Sequence, residues 1–187
     1  HADKQRDIVV MAEVADEVVG IDALWELYVR ADPQCSGRAT VPVLWDRQTG
    51  TIVNNESREI LRMLGTEMTA LHREGAPDLC PPELRGRIDE TIDAIYEPIN
   101  NGVYRAGFAR SQAAHEEAVR ELFAALGHWE QVLGRQRWLC GDRFTEADIC
   151  LFTTLVRFDS VYVTHFKCNL RRLVDFPNLW GFTREIH

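Results

Sequence analysis

The stretch Thr40-Val-Pro-Val-Leu-Trp45, with Asp46-Arg-Gln-Thr-Gly50 and Thr51-Ile-Val53 after it, decides the fold. Its first part is an apolar strand pattern with a proline at its entry, where a strand tolerates one. The second part predicts a hairpin turn, and the third predicts a short return strand. Next, Asn54 or Asn55 is expected to cap a helix. The stretch therefore predicts two paired strands that lead directly into a helix.

Two further elements are expected upstream of this stretch. The segment Ile8-Val-Val-Met-Ala-Glu-Val14 is short and rich in β-branched residues, which favours a strand. The segment from Ile21 to Arg30 carries apolar residues at helical spacing, and Asp32-Pro33 ends it. The N-terminal part of the chain is therefore predicted to combine strands with helices.

The rest of the chain is predicted to be all-helical. Gly75-Ala-Pro-Asp-Leu-Cys-Pro-Pro82 is rich in proline, which is typical of a domain boundary. We expect a first domain at residues 1–68, a linker at 69–82 and an all-helical domain at 83–187, so that the fold class is α+β. No strand pattern follows the linker. Helices are expected to begin at Pro82 or Glu83, at Ser111, at Thr145 and near Pro177.

One helix start in the second domain carries a specific capping signal. Thr145-Glu-Ala-Asp148 is similar to a capping box, in which the N-cap residue and the third helical residue satisfy each other's backbone N–H groups. Phe144 and Ile149 stand at the positions of a hydrophobic staple. The helix from Ser111 is expected to bury the stripe Ala114, Ala118, Leu122, Leu126, Trp129 and Leu133.

The composition excludes several classes of function. The 187 residues include 21 lysines and arginines against 29 acids, a net charge of −8, which argues against nucleic acid or an anionic membrane as the main partner. No apolar run approaches the ~20 residues that span a bilayer. The polar start, His1 to Asp7, shows no signal-peptide pattern, so we expect a soluble, cytoplasmic protein.

The cysteines do not predict a disulfide framework or a metal site. They are odd in number, and no two of them have the Cys-x-x-Cys spacing of a zinc site. Reduced thiols in a cytoplasmic protein fit this pattern better, and no metal is expected. The five residues are Cys35, Cys80, Cys140, Cys150 and Cys168.

Val41-Pro42 and Glu56-Ser57 are the candidate binding residues of the first domain. Alone, Val41-Pro42 favours an ordinary edge-strand proline, but a cis bond would turn the valine backbone outward, where a peptide could pair with it. Backbone N–H groups and Ser57 at a helix start bind carboxylates, and Glu56 can accept a hydrogen bond from an ammonium group. Ordinary capping by Asn55 and Ser57 uses the same N–H groups, so the two interpretations are compatible.

The order strand, Val-Pro, strand, turn, strand, Glu-Ser, helix resembles the glutathione-binding half of the glutathione transferases. From about Val19 to the end, the chain is similar to the glutathionyl-hydroquinone reductases, also called Xi-class glutathione transferases. The resemblance implies a thioredoxin-like first domain, an all-helical second domain and a homodimer. The strings that carry it are Thr40-Val-Pro-Val-Leu-Trp-Asp46, Ile52-Val-Asn-Asn-Glu-Ser57, Tyr104-Arg-Ala-Gly-Phe-Ala109, Gly141-Asp-Arg-Phe-Thr-Glu-Ala-Asp148, Leu151-Phe-Thr-Thr-Leu-Val-Arg-Phe-Asp159 and His165-Phe-Lys-Cys-Asn169.

The resemblance implies a glutathione-dependent reduction of glutathionyl-hydroquinones. An enzyme cysteine thiolate attacks the glutathione sulfur, the hydroquinone leaves, and a second glutathione resolves the mixed disulfide. Members of the family carry this cysteine in a Cys-Pro-Trp-Ala string between the first strand and the first helix, and the sequence holds no such string. We therefore expect the first βα unit and its nucleophile to lie outside the 187 residues, which leaves open whether these residues alone are active.

None of the five cysteines is expected to replace that nucleophile. Cys140, Cys150 and Cys168 are predicted to pack in the core. Cys35 lies in a predicted loop and Cys80 in the linker, where either could be exposed.

The resemblance also implies which residues meet the two parts of the substrate. The hydroxyls of Tyr104 and Tyr162 would contact the hydroquinone oxygen and help to protonate the departing ring. A tyrosine at a helix end is otherwise most often half-buried with a solvated hydroxyl, and Val161-Tyr-Val-Thr-His165 differs slightly from the commoner family string. His165 itself is expected to pack or to hydrogen-bond. The residues that would hold glutathione, the co-substrate, are Val41, Pro42, Glu56 and Ser57.

Two other functions stay open from the sequence. One is a non-catalytic binding module of the glutathione-transferase type, which loss of the nucleophile would produce. The other is a conventional transferase that conjugates glutathione to electrophiles. The N-terminal sequence or intact mass of the natural product separates the first from a reductase, because only the reductase requires the Cys-Pro-Trp-Ala string.

Overall fold

The computed structural model describes residues 20–187, so the strand expected at Ile8–Val14 lies outside the described range. The chain divides into two compact units between Met68 and Thr69. The small strand pair of the first unit and the helices of both units confirm the predicted α+β class. The elements described in the first unit are α1 (Trp25–Ala31), β1 (Leu44–Asp46), β2 (Thr51–Asn54) and α2 (Ser57–Thr66).

The strands β1 and β2 form the predicted antiparallel hairpin. Leu44 pairs with Asn54, and Asp46 pairs with Thr51, with one irregularity in register after Leu44. The Asp46 carboxylate accepts hydrogen bonds from the Thr49 hydroxyl at 2.7 Å and the Gln48 N–H at 2.8 Å, and these bonds lower the pKa of Asp46. A side chain that bonds to the backbone two residues on is the usual way in which Asp stabilises a turn.

The strand predicted from Thr40 is shorter than expected, because it begins at Leu44. Pro42 has no backbone N–H to donate to a sheet. The Thr40 carbonyl accepts a hydrogen bond from the Tyr28 hydroxyl at 2.8 Å instead of joining a ladder. The segment ahead of Leu44 is therefore held by a side chain and not by strand pairing.

Helix α1 begins at Trp25, later than the predicted Ile21. The Glu26 carboxylate reaches back and accepts from the N–H groups of Asp22 at 3.0 Å and Ala23 at 2.9 Å. Donors at a helix start need such acceptors because no preceding turn supplies them. The residues before Trp25 thus form a capped entry to the helix, and the helix ends at the predicted Asp32.

The prediction that Asn54 or Asn55 caps α2 was wrong. The N-cap residue is Glu56, whose side chain makes no capping bond, and Ser57 is the first helical residue. Asn54 instead accepts from the Glu56 N–H at 2.8 Å. Asn55 donates to the Tyr28 hydroxyl at 3.2 Å, which takes its amide away from the helix start.

The second unit is a helical assembly. Residues between the helices form 3₁₀ turns at Thr69–Leu71, Pro82–Leu84 and Leu173–Asp175 and π-helical turns at Tyr96–Asn100 and Phe158–Tyr162. The α-helices are α3 (Arg85–Ile95), α4 (Gly102–Gly107), α5 (Gln112–Leu133), α6 (Glu146–Leu155), α7 (Val163–His165) and α8 (Pro177–Ile186).

The predicted helix starts at Ser111 and Thr145 are confirmed. The Ser111 hydroxyl accepts from the Ala114 N–H at 3.2 Å and caps α5. At α6 the buried Asp148 carboxylate accepts from the Thr145 N–H at 2.8 Å, from the Thr145 hydroxyl at 3.0 Å and from the Leu139 N–H at 2.8 Å. Burial outweighs these bonds and raises the pKa of Asp148.

The core of the second unit lies among the apolar faces of α3, α5, α6 and α8. Each fully buried aliphatic side chain stabilises the fold by about 1.5–3 kcal/mol. Of the predicted α5 stripe, Ala114 is exposed, because it lies in the first turn. Side chains at the centre include Ile88, Ile92, Ile95, Leu122, Leu126, Leu151, Leu155 and Leu179.

The cysteines occupy mostly buried positions. Cys140 and Cys168 are buried and Cys150 is half-buried against the core, as predicted. Cys80, which the sequence left free to be exposed in the linker, is only 8% exposed, because it packs into the core of the second unit. Cys35 is half-buried.

Between residues 20 and 187, no helix has the length and apolar character that crossing a membrane requires.

Candidate functional site

Val41 and Pro42 are both exposed residues of the first unit. The bond between the two residues is cis. The Val41 side chain is 73% exposed, although valine is an apolar residue. Thr40, the residue before Val41, is held through both of its backbone polar groups. The Tyr28 hydroxyl donates to the Thr40 carbonyl at 2.8 Å and lies 3.3 Å from the Thr40 N–H nitrogen.

Tyr28 joins the two predicted parts of this binding surface. Its hydroxyl binds Thr40, next to Val41, and also accepts from the amide of Asn55, next to Glu56. In the sequence, Tyr28 was only one residue of the helical segment predicted from Ile21 to Arg30. Its phenolic hydroxyl was the available signal, because a half-buried tyrosine hydroxyl usually finds a hydrogen-bond partner.

Glu56 and Ser57 stand where helix α2 begins. Both residues are exposed, and among residues 20–187 their side chains have no hydrogen-bond partner. The first N–H groups of a helix lack acceptors within the helix and carry partial positive charge, which suits a carboxylate. The Glu56 carboxylate, which lies beside these N–H groups, suits an ammonium group because it carries the opposite charge. That these residues bind glutathione stays a prediction.

In the second unit, Tyr104 and Tyr162 come together. Tyr104 lies on α4, and Tyr162 is the last residue of the π-helical turn after α6. Their hydroxyl oxygens are 3.3 Å apart, and their rings meet edge to face with centroids 5.8 Å apart. Tyr104 is 40% exposed whereas Tyr162 is only 3% exposed, so one hydroxyl faces solvent and the other supports it from the interior.

Two phenylalanines complete an aromatic cluster around the tyrosine pair. Phe108 is 71% exposed and stacks on Tyr104, with centroids 6.3 Å apart. Phe166 contacts the rings of Tyr104, Tyr162 and Phe108 at 5.4–5.5 Å. The sequence analysis did not single out either phenylalanine. Each phenylalanine follows one of the tyrosines by four residues in the sequence. That spacing puts two residues on the same face of a helix, so it was a signal that could have identified both phenylalanines.

The surroundings of Tyr162 keep its phenol protonated. Burial, followed by the hydrogen bond and charge interaction with Tyr104, raises the pKa of Tyr162 to about 12. Burial likewise raises the pKa of the Cys168 thiol to about 11. A thiol must ionise to act as a nucleophile, so Cys168 is a packing residue, as the sequence predicted.

His165 lies close to the cluster but does not behave as expected. It was predicted to pack or to hydrogen-bond. It is exposed, and its side chain makes no hydrogen bond within the part of the chain that the structure describes. The prediction was wrong because His165 is the last residue of the single turn α7, where its side chain faces solvent. No cluster of metal-binding side chains occurs within residues 20–187.

Comparison with known proteins identifies the class. Residues 112–185 match the model of the glutathione S-transferase C-terminal domain. A solved structure described as a Xi-class transferase from Natrialba magadii superposes with a TM-score of 0.88 at 57% identity, covering 91% of this chain and 52% of that one. The chain therefore has the fold of the glutathione transferases.

Curated relatives narrow this class. Over 164 residues the chain is 56% identical to the glutathionyl-hydroquinone reductase YqjG of Escherichia coli, covering 88% of this chain and 50% of the relative. It is 51% identical over 168 residues to the glutathionyl-hydroquinone reductase PcpF of Sphingobium chlorophenolicum, covering 89% and 53%. In sequence and fold these residues are therefore similar to the glutathionyl-hydroquinone reductases, or Xi-class glutathione transferases, and the chain spans about half the length of these relatives.

Proposed function

We propose that the protein is a glutathione-dependent reductase that removes glutathione from glutathionyl-hydroquinones. The observation that carries this proposal is the pair of tyrosine hydroxyls, 3.3 Å apart, beside the exposed ring of Phe108. Family members of that name support it, and a solved structure of one of them is described as glutathione-bound. These relatives do not favour a non-catalytic binding module or a conventional conjugating transferase.

Glutathione is the proposed ligand of the first unit. It is a tripeptide with an ammonium group and two carboxylates, and each charge has a suitable counterpart. The backbone at Val41-Pro42 pairs with the peptide as an extra short strand. Glu56 accepts from the ammonium group, and Ser57 with the first N–H groups of α2 binds the neighbouring carboxylate.

The tyrosine pair is the proposed contact for the hydroquinone. With its pKa raised to about 12, the phenol of Tyr162 remains a hydrogen-bond donor throughout the neutral range. Tyr104, which is 40% exposed, donates to the hydroquinone oxygen while Tyr162 supports it. Hydrogen bonds at this oxygen stabilise the ring as it leaves the sulfur and takes up a proton.

The reaction needs a thiolate in addition to these residues. The thiolate attacks the glutathionyl sulfur, the bond from sulfur to the ring carbon breaks, and that carbon takes up a proton. A glutathione thiolate then attacks the mixed disulfide, giving glutathione disulfide and the enzyme thiol. The Cys-Pro-Trp-Ala string that carries the thiolate in the family is not among these 187 residues.

The first experiment therefore determines the N-terminal sequence and intact mass of the natural product. A product that carries the string should release hydroquinone from a glutathionyl-hydroquinone when glutathione is added, with one glutathione disulfide formed per hydroquinone. A natural product without the string overturns the proposal. So does a product that conjugates glutathione to an aryl chloride but releases no hydroquinone.

The second experiment tests the tyrosines in that product. Tyr104→Phe and Tyr162→Phe should each lower kcat for hydroquinone release by about a hundredfold, the scale of one acid–base contact. The Kd for glutathione should change by less than about twofold, because the proposed glutathione residues lie in the other unit. Tyr96→Phe, at a tyrosine that is 54% exposed, is the matched control and should leave both values unchanged. Equal losses of turnover and glutathione affinity would contradict the assignment.

We also propose a cytoplasmic homodimer. The dimer is implied by the family resemblance, and light scattering that gives the mass of a monomer at working concentrations would refute it. The location rests on the cysteines, because none of the five forms a disulfide. Recovery of the natural product from an oxidising compartment would contradict it.

A further inference from the structure

A polar cleft of about 580 Å³ opens in the second unit, where α4 ends, α5 begins and α7 gives way to a loop. A volume of this size accommodates a small organic molecule and not only an inorganic ion. The cleft does not include Tyr104 or Tyr162. Its lining residues are Ala106, Gly107, Ala109, Arg110, Ser111, Gln112, His115, His165, Phe166, Lys167 and Asn169.

The charges that line this cleft are all of one sign. Arg110 and Lys167 carry fixed positive charges, and no Asp or Glu is among the lining residues. This distribution contrasts with the whole chain, in which acids exceed bases by eight. A concave surface with charges of one sign concentrates ligands of the opposite sign.

The two fixed cations are available for a ligand. Within residues 20–187, neither Arg110 nor Lys167 forms an ion pair or a side-chain hydrogen bond. By contrast, nearby Arg105 is neutralised by Glu121 at 2.7 Å. The cleft therefore has cations with which no carboxylate of the described chain forms a direct ion pair.

The other walls supply neutral donors and a fixed apolar face. His115 Nδ1 lies 3.0 Å from the Ala106 carbonyl, which can only accept, so this nitrogen carries its proton and holds the ring in place. The Phe166 ring packs so tightly on Gly107 that a Cβ there would lie 2.3 Å from the ring. Ser111 and Asn169 add a hydroxyl and an amide group, whereas the Gln112 amide donates to the Glu116 carboxylate at 2.9 Å.

We propose that this cleft is a binding site for a small, multiply charged oxyanion, with Arg110 and Lys167 as its principal contacts. The guanidinium of Arg110 matches the paired oxygens of a phosphate or carboxylate, and the Lys167 ammonium adds a compact charge. Phosphate esters and polycarboxylates share this chemistry. The site does not depend on the proposed reductase activity, because neither the tyrosine pair nor the glutathione residues contribute to it.

Isothermal titration of the full chain in 0.15 M salt tests the site, with pyrophosphate and citrate as separate probes, because salt at this level screens weak surface attraction. We expect one saturable site per chain with a Kd below about 1 mM for at least one probe. The tighter probe identifies the ligand class. Failure of both probes to saturate up to about 10 mM would overturn the proposal, since that affinity is ordinary for non-specific surface attraction.

Charge-removing variants assign the binding to the cleft. Arg110→Gln and Lys167→Gly should each weaken it about tenfold. Glycine suits position 167 because the backbone there has a φ of +56°, so loss of binding would not reflect misfolding. Arg120→Gln removes the same charge from an exposed position on α5 outside the cleft and should have no effect. Equal weakening in all three variants would overturn the site. Tyr104→Phe should leave anion binding intact, which separates this test from that of the reductase activity.

Discussion

Adding one methyl group at Gly107 should destabilise the second unit and displace the aromatic cluster. Gly107 is the last residue of α4, and its φ lies outside the range that favours glycine, so the backbone would accept alanine. The obstacle is packing. A Cβ at this position would lie 2.3, 2.5 and 2.7 Å from three carbon atoms of the Phe166 ring, whereas ordinary contacts begin near 3.4 Å. The ring must therefore move by about 1 Å.

The movement is costly because Phe166 has little room. Its ring already packs against Tyr104, Phe108 and Tyr162 at centroid distances of 5.4–5.5 Å. Overpacking of this kind costs about 1–3 kcal/mol, and the higher helix propensity of alanine recovers up to about 1 kcal/mol. We expect Gly107→Ala to lower the free energy of unfolding by about 1–2 kcal/mol.

Urea unfolding followed by circular dichroism measures this loss. Gly127→Ala is the matched control, because Gly127 lies within α5 and nothing lies within 4 Å of the position that an added methyl group would take. That variant should gain about 0.5–1 kcal/mol. Combining Gly107→Ala with Phe166→Leu should recover part of the loss, since the smaller side chain frees the space. A Gly107→Ala chain as stable as the wild type, or a double variant without energetic coupling, would refute the reasoning.

Three further predictions concern other charged and buried groups. Absorbance titration should show Tyr162 ionising near pH 12, and the step should vanish in Tyr162→Phe. The pKa of Tyr162 in the folded protein exceeds the unfolded value of about 10. Its contribution to the free energy of unfolding, about 2–3 kcal/mol, is therefore complete below pH 10 and is lost as the pH rises to 12. An ionisation near pH 10 would contradict this. In calorimetric titrations, Glu56→Ala should weaken glutathione binding by about 1–3 kcal/mol. The control Glu59→Ala, at another exposed glutamate near the start of α2, should not weaken it. Unchanged affinity in Glu56→Ala would show that the proposed glutathione site is misplaced. Asp148→Ala leaves three donor groups without their acceptor and should lower the free energy of unfolding in urea by about 2–5 kcal/mol. The control Asp142→Ala, at an exposed position, should lower it by nearly nothing. A loss below about 1 kcal/mol for Asp148→Ala would contradict the role of this carboxylate.

Much of the second unit could be predicted because its helices are signalled locally. Ser111 caps α5, Thr145 and Asp148 cap α6, and Pro177 begins α8, as the sequence indicated. Each signal acts within a few residues of itself. The apolar stripes then identify the buried faces, because a period of 3.6 residues holds along an uninterrupted helix.

The first unit was predicted less completely because its organising contacts are not local. The Tyr28 hydroxyl is bound to Thr40, which is 12 residues away, and to Asn55, which is 27 residues away. These bonds hold the segment before Leu44 outside the ladder and divert Asn55 from the start of α2. Strand and cap propensities describe each segment alone, so they could not predict either outcome.

The meeting of Tyr104 and Tyr162 depends on two interruptions of helical periodicity. A π-helical turn adds a residue relative to an α-helical turn, so it rotates all later residues by about 100° around the helix axis. The turn at Tyr96–Asn100 lies between α3 and the helix that carries Tyr104, and the turn at Phe158–Tyr162 ends on the second tyrosine. If a period of 3.6 residues is continued through either turn, it therefore assigns the residues beyond that turn to the wrong side of the helix.

A side chain within the first π-helical turn also connects the two tyrosine-bearing segments. The Asn100 amide donates to the Cys150 carbonyl at 2.7 Å and to the Thr154 hydroxyl at 2.9 Å, both on α6, which leads into the second turn. The contact is half-buried and spans about 50 residues of sequence. Since an amide at this position satisfies acceptors on the neighbouring helix, it fixes the first turn relative to α6. The family resemblance implied that both tyrosines meet one hydroquinone oxygen, whereas helical periodicity read along each segment could not have brought them together, because the backbone is irregular at both turns.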